Sequence, residues 1–293
     1  MNKPAEQTER RLPSPLIALT PGTLQRSRAG ATDAVIAIME RAAHAAVAGG
    51  VRSLMVREPA LEDGAFLELA LRLRAILEGA WGANGAWLAV HDRLHLARAA
   101  GAHAVHLGGA SLELEPARLV VGHSVAVGAS SHAGDVPGDF VGVDYLLHAP
   151  VFEPTSKPLH GRDTLGWDGA ESFAAGSFAA GSFAAESSGA ESSGAMAGIP
   201  VYGLGGITIP SLAEAVAQDR EHGGPRRLRG VALIGGLWGS DATPIDGMSR
   251  ALTDTRAIHA RAEELTSICL DAFGAPEAQP DPQPDATTGG PLG

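Results

Sequence analysis

Cysteine occurs once in 293 residues, at Cys269, which excludes an internal disulfide and any multi-cysteine metal site. Aromatic residues make up only 4%, so an aliphatic core is expected. No apolar run approaches the roughly 18 residues that a membrane helix needs. The leader MNKPAEQTERRLP carries no signal-peptide h-region. Basic residues are short as well: 22 stand against 33 acidic ones, a formal charge of −11, which argues against a nucleic-acid surface. What is present, 45% hydrophobic and 19% charged residues, suits one or two soluble globular domains. The expectation is a cytoplasmic protein that handles small molecules, with no membrane or nucleic-acid partner.

Lysine is scarcer still. Only Lys3 and Lys157 occur, and the other 20 basic residues are arginines. Lys3 lies in the polar leader, so Lys157 is the one lysine of the expected folded part. An ammonium is a compact point charge that meets a phosphate differently from a planar guanidinium. Chance placement of an exposed lysine is the plain alternative.

The chain divides into a polar leader (1–13), a folded body (14–273) and a Pro-rich tail (274–293), with the two ends expected to be disordered. Within the body, short β-type runs alternate with Ala- and Leu-rich helical runs. Strands are expected at 16–20, 52–57, 86–91, 103–107, 124–129, 143–148, 200–204 and 230–234. Helices are expected at 31–48, 63–79, 93–100, 211–219 and 245–272. Several strands are nearly continuous apolar runs, as in a parallel sheet covered by helices. Eight such units point to an α/β fold of the (β/α)8, or TIM barrel, type. A flavodoxin-like sheet would leave three strands unplaced. Residues 172–195 interrupt the pattern with SFAAG, SFAAG, SFAAE, SSGAE, SSGA, a low-complexity insert whose five-residue period matches neither helix nor strand.

In such a barrel the chemistry sits at the C-terminal strand ends, and phosphate is often held after strands seven and eight. Those two strands end in Gly205-Gly206 and Gly235-Gly236, where backbone N–H groups can approach an anion. The other strand ends are polar: Arg57-Glu58, His91-Asp92-Arg93, His106, Ser130-Ser131-His132, and His148 running on to Thr155-Ser156-Lys157. Basic and hydroxyl groups dominate this mouth, which suits a phosphorylated or diphosphorylated ligand.

These motifs resemble the thiamine phosphate synthase superfamily, which includes the TenI-type thiazole tautomerases. The resemblance is carried by Arg57-Glu58, Asp92, Val105-His106-Leu107-Gly108, Val127 to His132, Asp144-Tyr145 and Pro150-Val151-Phe152. Thr155-Ser156-Lys157 and Gly205-Gly206-Ile207-Thr208 complete the set, over about residues 15–240. It implies a (β/α)8 fold and coupling of hydroxymethylpyrimidine diphosphate with thiazole phosphate, giving thiamine phosphate and pyrophosphate with magnesium bound. Residue by residue it implies that Arg57, Ser130 and Lys157 face the diphosphate and that Asp92 holds Mg2+. Thr155 and Ser156 would lie beside the thiazole, and Gly205, Gly206, Gly235 and Gly236 would hold its phosphate. His91 would line the mouth as a substrate contact or second candidate base. Assembly into a homo-oligomer is left open.

This sequence also departs from the synthase pattern. Met55 and Pro59 replace a Gln and a Lys around Arg57, His91 replaces an Asn before Asp92, and Ser111 replaces a second magnesium carboxylate. Tautomerases lack that carboxylate too, but use a histidine where this chain has Pro150. His148, two residues earlier, is the candidate for a displaced acid/base, against a bonded interior histidine as the plain reading. Three functions therefore stand: a synthase-type transferase, a thiazole tautomerase, and a non-catalytic binder of thiazole phosphate or thiamine phosphate.

Overall fold

The computed structural model describes residues 10–22, 24, 31–154, 163–187, 198–222, 227–239, 244–245 and 248–275. Eight parallel strands close into a barrel in sequential order: β1 (Leu16–Leu19), β2 (Ser53–Val56), β3 (Trp87–His91), β4 (Ala104–Leu107), β5 (Ala126–Ser131), β6 (Tyr145–His148), β7 (Val201–Leu204) and β8 (Gly230–Leu233). Helices α1 (Ala31–Ala48), α2 (Asp63–Gly85), α3 (Ala97–Ala100), α4 (Leu114–Val121), α5 (Gly166–Ser187), α6 (Ile209–His222), α7 (Gly235–Trp238) and α8 (Thr255–Phe273) follow in turn. This is the expected (β/α)8 barrel. Three of these, α4, α5 and α7, lie outside the helical runs expected from the sequence. Pro116 lies in the first turn of α4, where a missing N–H costs nothing, and α5 runs straight through the Ala/Phe part of the insert.

Strand alternation sorts side chains into two cores. Outward residues such as Leu54, Val90, Val105 and Leu146 meet the helices in an aliphatic layer. Inward residues fill the barrel, and there the expectation of an aliphatic core fails. Trp87, Tyr145 and Tyr202 pack edge to face, with ring centroids 5.8 and 6.3 Å apart. They fit because their inward neighbours are small: Ala89, Ala104, Ala126 and Ala232. Gly128 is the extreme case, since a Cβ there would lie 2.1 Å from the Tyr145 ring. Three large rings against small partners fill the volume that a barrel usually fills with branched aliphatics.

The folded body begins earlier than residue 14. Arg10 bonds the His123 carbonyl and pairs with Asp144 at 2.6 Å. Arg11 donates to the Ala86 carbonyl at 2.8 Å and accepts from the Trp87 indole at 3.0 Å. The buried Tyr202 hydroxyl donates to the Pro13 carbonyl at 2.9 Å. Residues 10–13 thus close the floor of the barrel by satisfying polar groups of its aromatic interior. The other end of the body is also adjusted. The last helix starts at Thr255, where Asp254 accepts from the Ala257 N–H at 3.0 Å. Pro244–Ile245 and Met248–Ser249 form a short antiparallel pair instead of the helix expected from 245.

The first repeat of the insert and the start of the second belong to the barrel. Ala174 and Ser177 are buried, Ser177 donates to the Ile199 carbonyl at 3.1 Å, and Phe173 stacks on His148. Five residues turn about 140° around a helix of 3.6 residues per turn, so successive repeats cannot keep one face on the barrel. Deleting residues 182–195 is therefore expected to leave a single cooperative unfolding transition. Phe173→Ala should cost about 2 kcal/mol, less than a fully buried phenylalanine because its ring is only partly covered. Equal melting midpoints for Phe173→Ala and wild type would show that the stack contributes nothing.

Candidate functional site

The inward parity of each strand decides which polar residues reach the mouth. Met55 faces in on β2, so Arg57 does also, and by the same alternation His91, His106 and Ser130 face in on β3, β4 and β5. His91 and His106 are register partners with ring centroids 5.6 Å apart. Ser130 Oγ lies 3.0 Å from His106 Nε2. His106 is fully buried and its Nδ1 has no partner among the described residues. Burial, reinforced by the nearby His91 and Arg57 charges, lowers its pKa to about 3, so the ring is neutral at physiological pH.

Arg57 is held from beneath. Its N–H donates to Thr20 Oγ1 at 2.8 Å, and its guanidinium lies against Gly22. The adjacent Glu58 is 1% exposed, and its two carboxylate oxygens accept the Gly22 and Leu24 N–H groups, each at 2.9 Å. Burial pushes the Glu58 carboxyl up against the opposing pull of these bonds. Glu58 is a clamp on the β1–α1 loop. Its acidity beside Arg57 at the end of β2 is the one sign of this role in the sequence.

Asp92 follows β3 with φ +61, the one non-glycine residue at positive φ among the described residues. Its Oδ2 is 2.9 Å from His91 Nδ1, and its Oδ1 accepts from the Ser111 hydroxyl. Burial alone would raise this carboxyl, but the bonds from His91, Ser111 and Gly108 outweigh it and hold it well below the usual carboxylate range.

On the far side of the mouth, β7 and β8 end in the two glycine pairs. Gly205 and Gly206 have φ +98 and +64, and their N–H groups meet no acceptor among the described residues. The turn is fixed from outside, because Phe152 N donates to the Gly205 carbonyl at 3.0 Å. Thr208 and Ser211 bond each other at the start of α6. Gly235 and Gly236 open α7, where the first N–H groups have no intrahelical partner. A Cβ on Gly236 would sit 2.4 Å from the Ile207 carbonyl oxygen, so the two turns touch. The two turns thus bring glycine amides from both strand ends together, backbone of a kind that can hold an anion.

His148 does not reach this mouth. Tyr145 and Leu147 face the barrel interior, so Leu146 and His148 face the helices. His148 is 2% exposed, stacks on Phe173 at 3.8 Å between centroids and bonds Ser131 Oγ through Nδ1 at 2.9 Å. Burial lowers its pKa to about 4. Its expected place as an acid/base is corrected by strand parity, which aligned it with Pro150 but not with the interior. Thr155, Ser156 and Lys157 lie outside the described residues.

A stability consequence follows from the buried histidines. His103 and His148 titrate at about 4 and His106 at about 3, against 6.5 when unfolded. Each takes up a proton on unfolding in that window, so stability should fall as pH drops from 6.5 toward 4 and should be flat in this respect above 6.5. His148→Gln should make that acid slope shallower by up to one bound proton, read from urea midpoints across the range. An unchanged slope would mean that His148 is already charged in the fold.

Comparison with known proteins places the chain in a family. The family model for thiamine monophosphate synthase matches residues 31–236. A thiamine-phosphate synthase of Methanoculleus marisnigri is 30% identical over 223 residues, covering 75% of this chain and 89% of that protein. One from Saccharopolyspora erythraea is 40% identical over 129 residues, covering 42% of this chain and 56% of the relative. Among solved structures, thiamine phosphate pyrophosphorylase from Pyrococcus furiosus superposes with a TM-score of 0.57 at 20% identity, covering 88% of this chain and 96% of that one, which is a likeness of fold. No helix among the described residues is long and apolar enough to cross a membrane. A matched span of more than half the chain, with a relative 30% identical over three quarters of it, shows that the chain belongs to the thiamine monophosphate synthase family.

Proposed function

We propose that this protein is a transferase that couples a pyrimidine diphosphate with a thiazole phosphate, forming thiamine phosphate and releasing pyrophosphate. The observation that carries the reading is the unpaired glycine amide cradle at the ends of β7 and β8, facing Arg57, His91 and Ser130 across one mouth. The cradle suits the thiazole monophosphate. The Arg57 side suits the diphosphate, with Lys157 assigned there by resemblance alone.

The thiazole nitrogen attacks the exocyclic pyrimidine carbon, a C–N bond forms, and the C–O bond to the diphosphate breaks with its electron pair leaving on pyrophosphate. No protein nucleophile and no protein proton transfer is needed. The residues therefore orient two ligands and offset charge as it develops on the leaving group. Arg57, pressed on by the Glu58-clamped loop, is the fixed cation for that task, and Ser130 is the hydroxyl donor. The tautomerase reading loses its acid/base, because His148 is turned to the helix layer.

The family resemblance implies magnesium at Asp92, but the residues present do not fit a magnesium site. Among the described residues Asp92 is the one carboxylate placed there, and both of its oxygens face donors. Incubation with both substrates should give thiamine phosphate and pyrophosphate in equal amounts. Retained thiazole phosphate binding with no product would make the protein a binder, and absence of both would overturn the reading.

A further inference from the structure

The two departures around Asp92 are complementary. Where the resemblance expects a second carboxylate, Ser111 places a hydroxyl that donates to Asp92 Oδ1 and accepts the Gly108 N–H at 2.6 Å. Where it expects an asparagine, His91 places an imidazole whose Nδ1 is 2.9 Å from Asp92 Oδ2 and whose ring lies against Gly108. The Gly108 N–H is also 3.4 Å from Oδ1. Each change replaces an oxygen that could face a cation with a group that donates to Asp92. Magnesium requires near-octahedral oxygen coordination and gives up its waters reluctantly. Among the described residues there is no group of three or more His, Cys, Asp or Glu that could hold a metal ion. Arg57, in contrast, acts electrostatically on the buried Glu58 beside it and forms no ion pair within 4 Å among the described residues.

We propose that the Ser111–Asp92–His91 hydrogen-bonded network has taken the place of the cation site, so that this chain binds the diphosphate end of its ligand without a divalent metal. The identity of that ligand rests on the coupling reading above; the absence of a metal site does not. The test therefore measures binding directly, on the full chain. Mn2+ alone, followed by electron paramagnetic resonance, should bind wild type no more tightly than the millimolar range. Ser111→Asp, which restores a carboxylate, should tighten Mn2+ at least tenfold. Inorganic pyrophosphate, followed by calorimetry, should bind wild type with an affinity that changes less than twofold between EDTA and added magnesium.

Micromolar Mn2+ binding by wild type that is lost in Asp92→Asn would overturn the proposal. So would a tenfold loss of pyrophosphate affinity in EDTA, no pyrophosphate binding in either condition, or no gain in a folded Ser111→Asp variant. If that variant does not fold, the wild-type Mn2+ and pyrophosphate measurements still decide. Coupling that fails while these binding results hold would overturn the assigned reaction and leave the metal-free site standing.

Discussion

Gly206→Ala is expected to lower affinity for thiazole phosphate at least a hundredfold, measured by calorimetry, and to reduce coupling to match. The φ of +64 alone costs an alanine on the order of 1 kcal/mol. The larger cause is contact: a Cβ at this position would lie 2.5 Å from the carbonyl carbon and oxygen of Phe152 and 2.6 Å from the Glu153 oxygen. These are backbone atoms, and no rotamer change can move them aside. The β7–α6 turn must open, which redirects the Gly205 and Gly206 amides from whatever they hold. A hundredfold loss corresponds to about 2.7 kcal/mol, the order expected for losing one or two charge-assisted bonds. Gly109→Ala is the control, since nothing lies within 4 Å of a Cβ there. If Gly206→Ala binds within threefold of wild type, the phosphate is held elsewhere.

Lys157→Ala should lower turnover, or affinity for the diphosphate substrate, by roughly ten- to a hundredfold, since a charge-assisted contact in a sheltered site is worth about 1.5–3 kcal/mol. The prediction stands on the sequence, where this is the one lysine of the body, and on the family resemblance. Lys157 itself lies outside the described residues. The chain leaves past Glu153, beside Gly206, and returns where Leu165 N donates to Pro150 O and Gly166 N to Val151 O, both at 2.9 Å. Lys157→Arg should recover the charge in part, as a wider guanidinium must occupy a space suited to an ammonium. An unchanged melting midpoint is expected for both variants. Wild-type kinetics in Lys157→Ala would return the lysine to chance.

The barrel was legible because its signals are local. Each strand is a short apolar run, each is bounded by turn residues, and all eight fall within two residues of their expected limits. The positions of the glycine pairs after β7 and β8, and of Asp92 after β3, could be read for the same reason. What could not be read was the partner of each side chain. His148 looks catalytic by its distance from Pro150, yet its neighbours are Ser131, 17 residues away, and Phe173 on α5. Phe173 looked like part of a repeat because the repeat dominates the local pattern. The aromatic interior was hidden by a low aromatic count, because three rings suffice when their neighbours are alanine and glycine. Arg10 to Pro13 read as polar leader, since nothing in that stretch reveals that Trp87 and Tyr202 need its carbonyls.

That floor also sets an order of events during synthesis. β1 is flanked by β2 and by β8, and Val231 N donates to the Pro15 carbonyl at 2.8 Å. Among the barrel strands the first to be made therefore keeps one edge unpaired until the eighth is made, roughly ten to forty seconds later at elongation rates of about 5–20 residues per second. Throughout that interval the apolar Leu-Ile-Ala-Leu edge is open to a neighbouring nascent chain. The β1–β8 seam is where misassembly would begin.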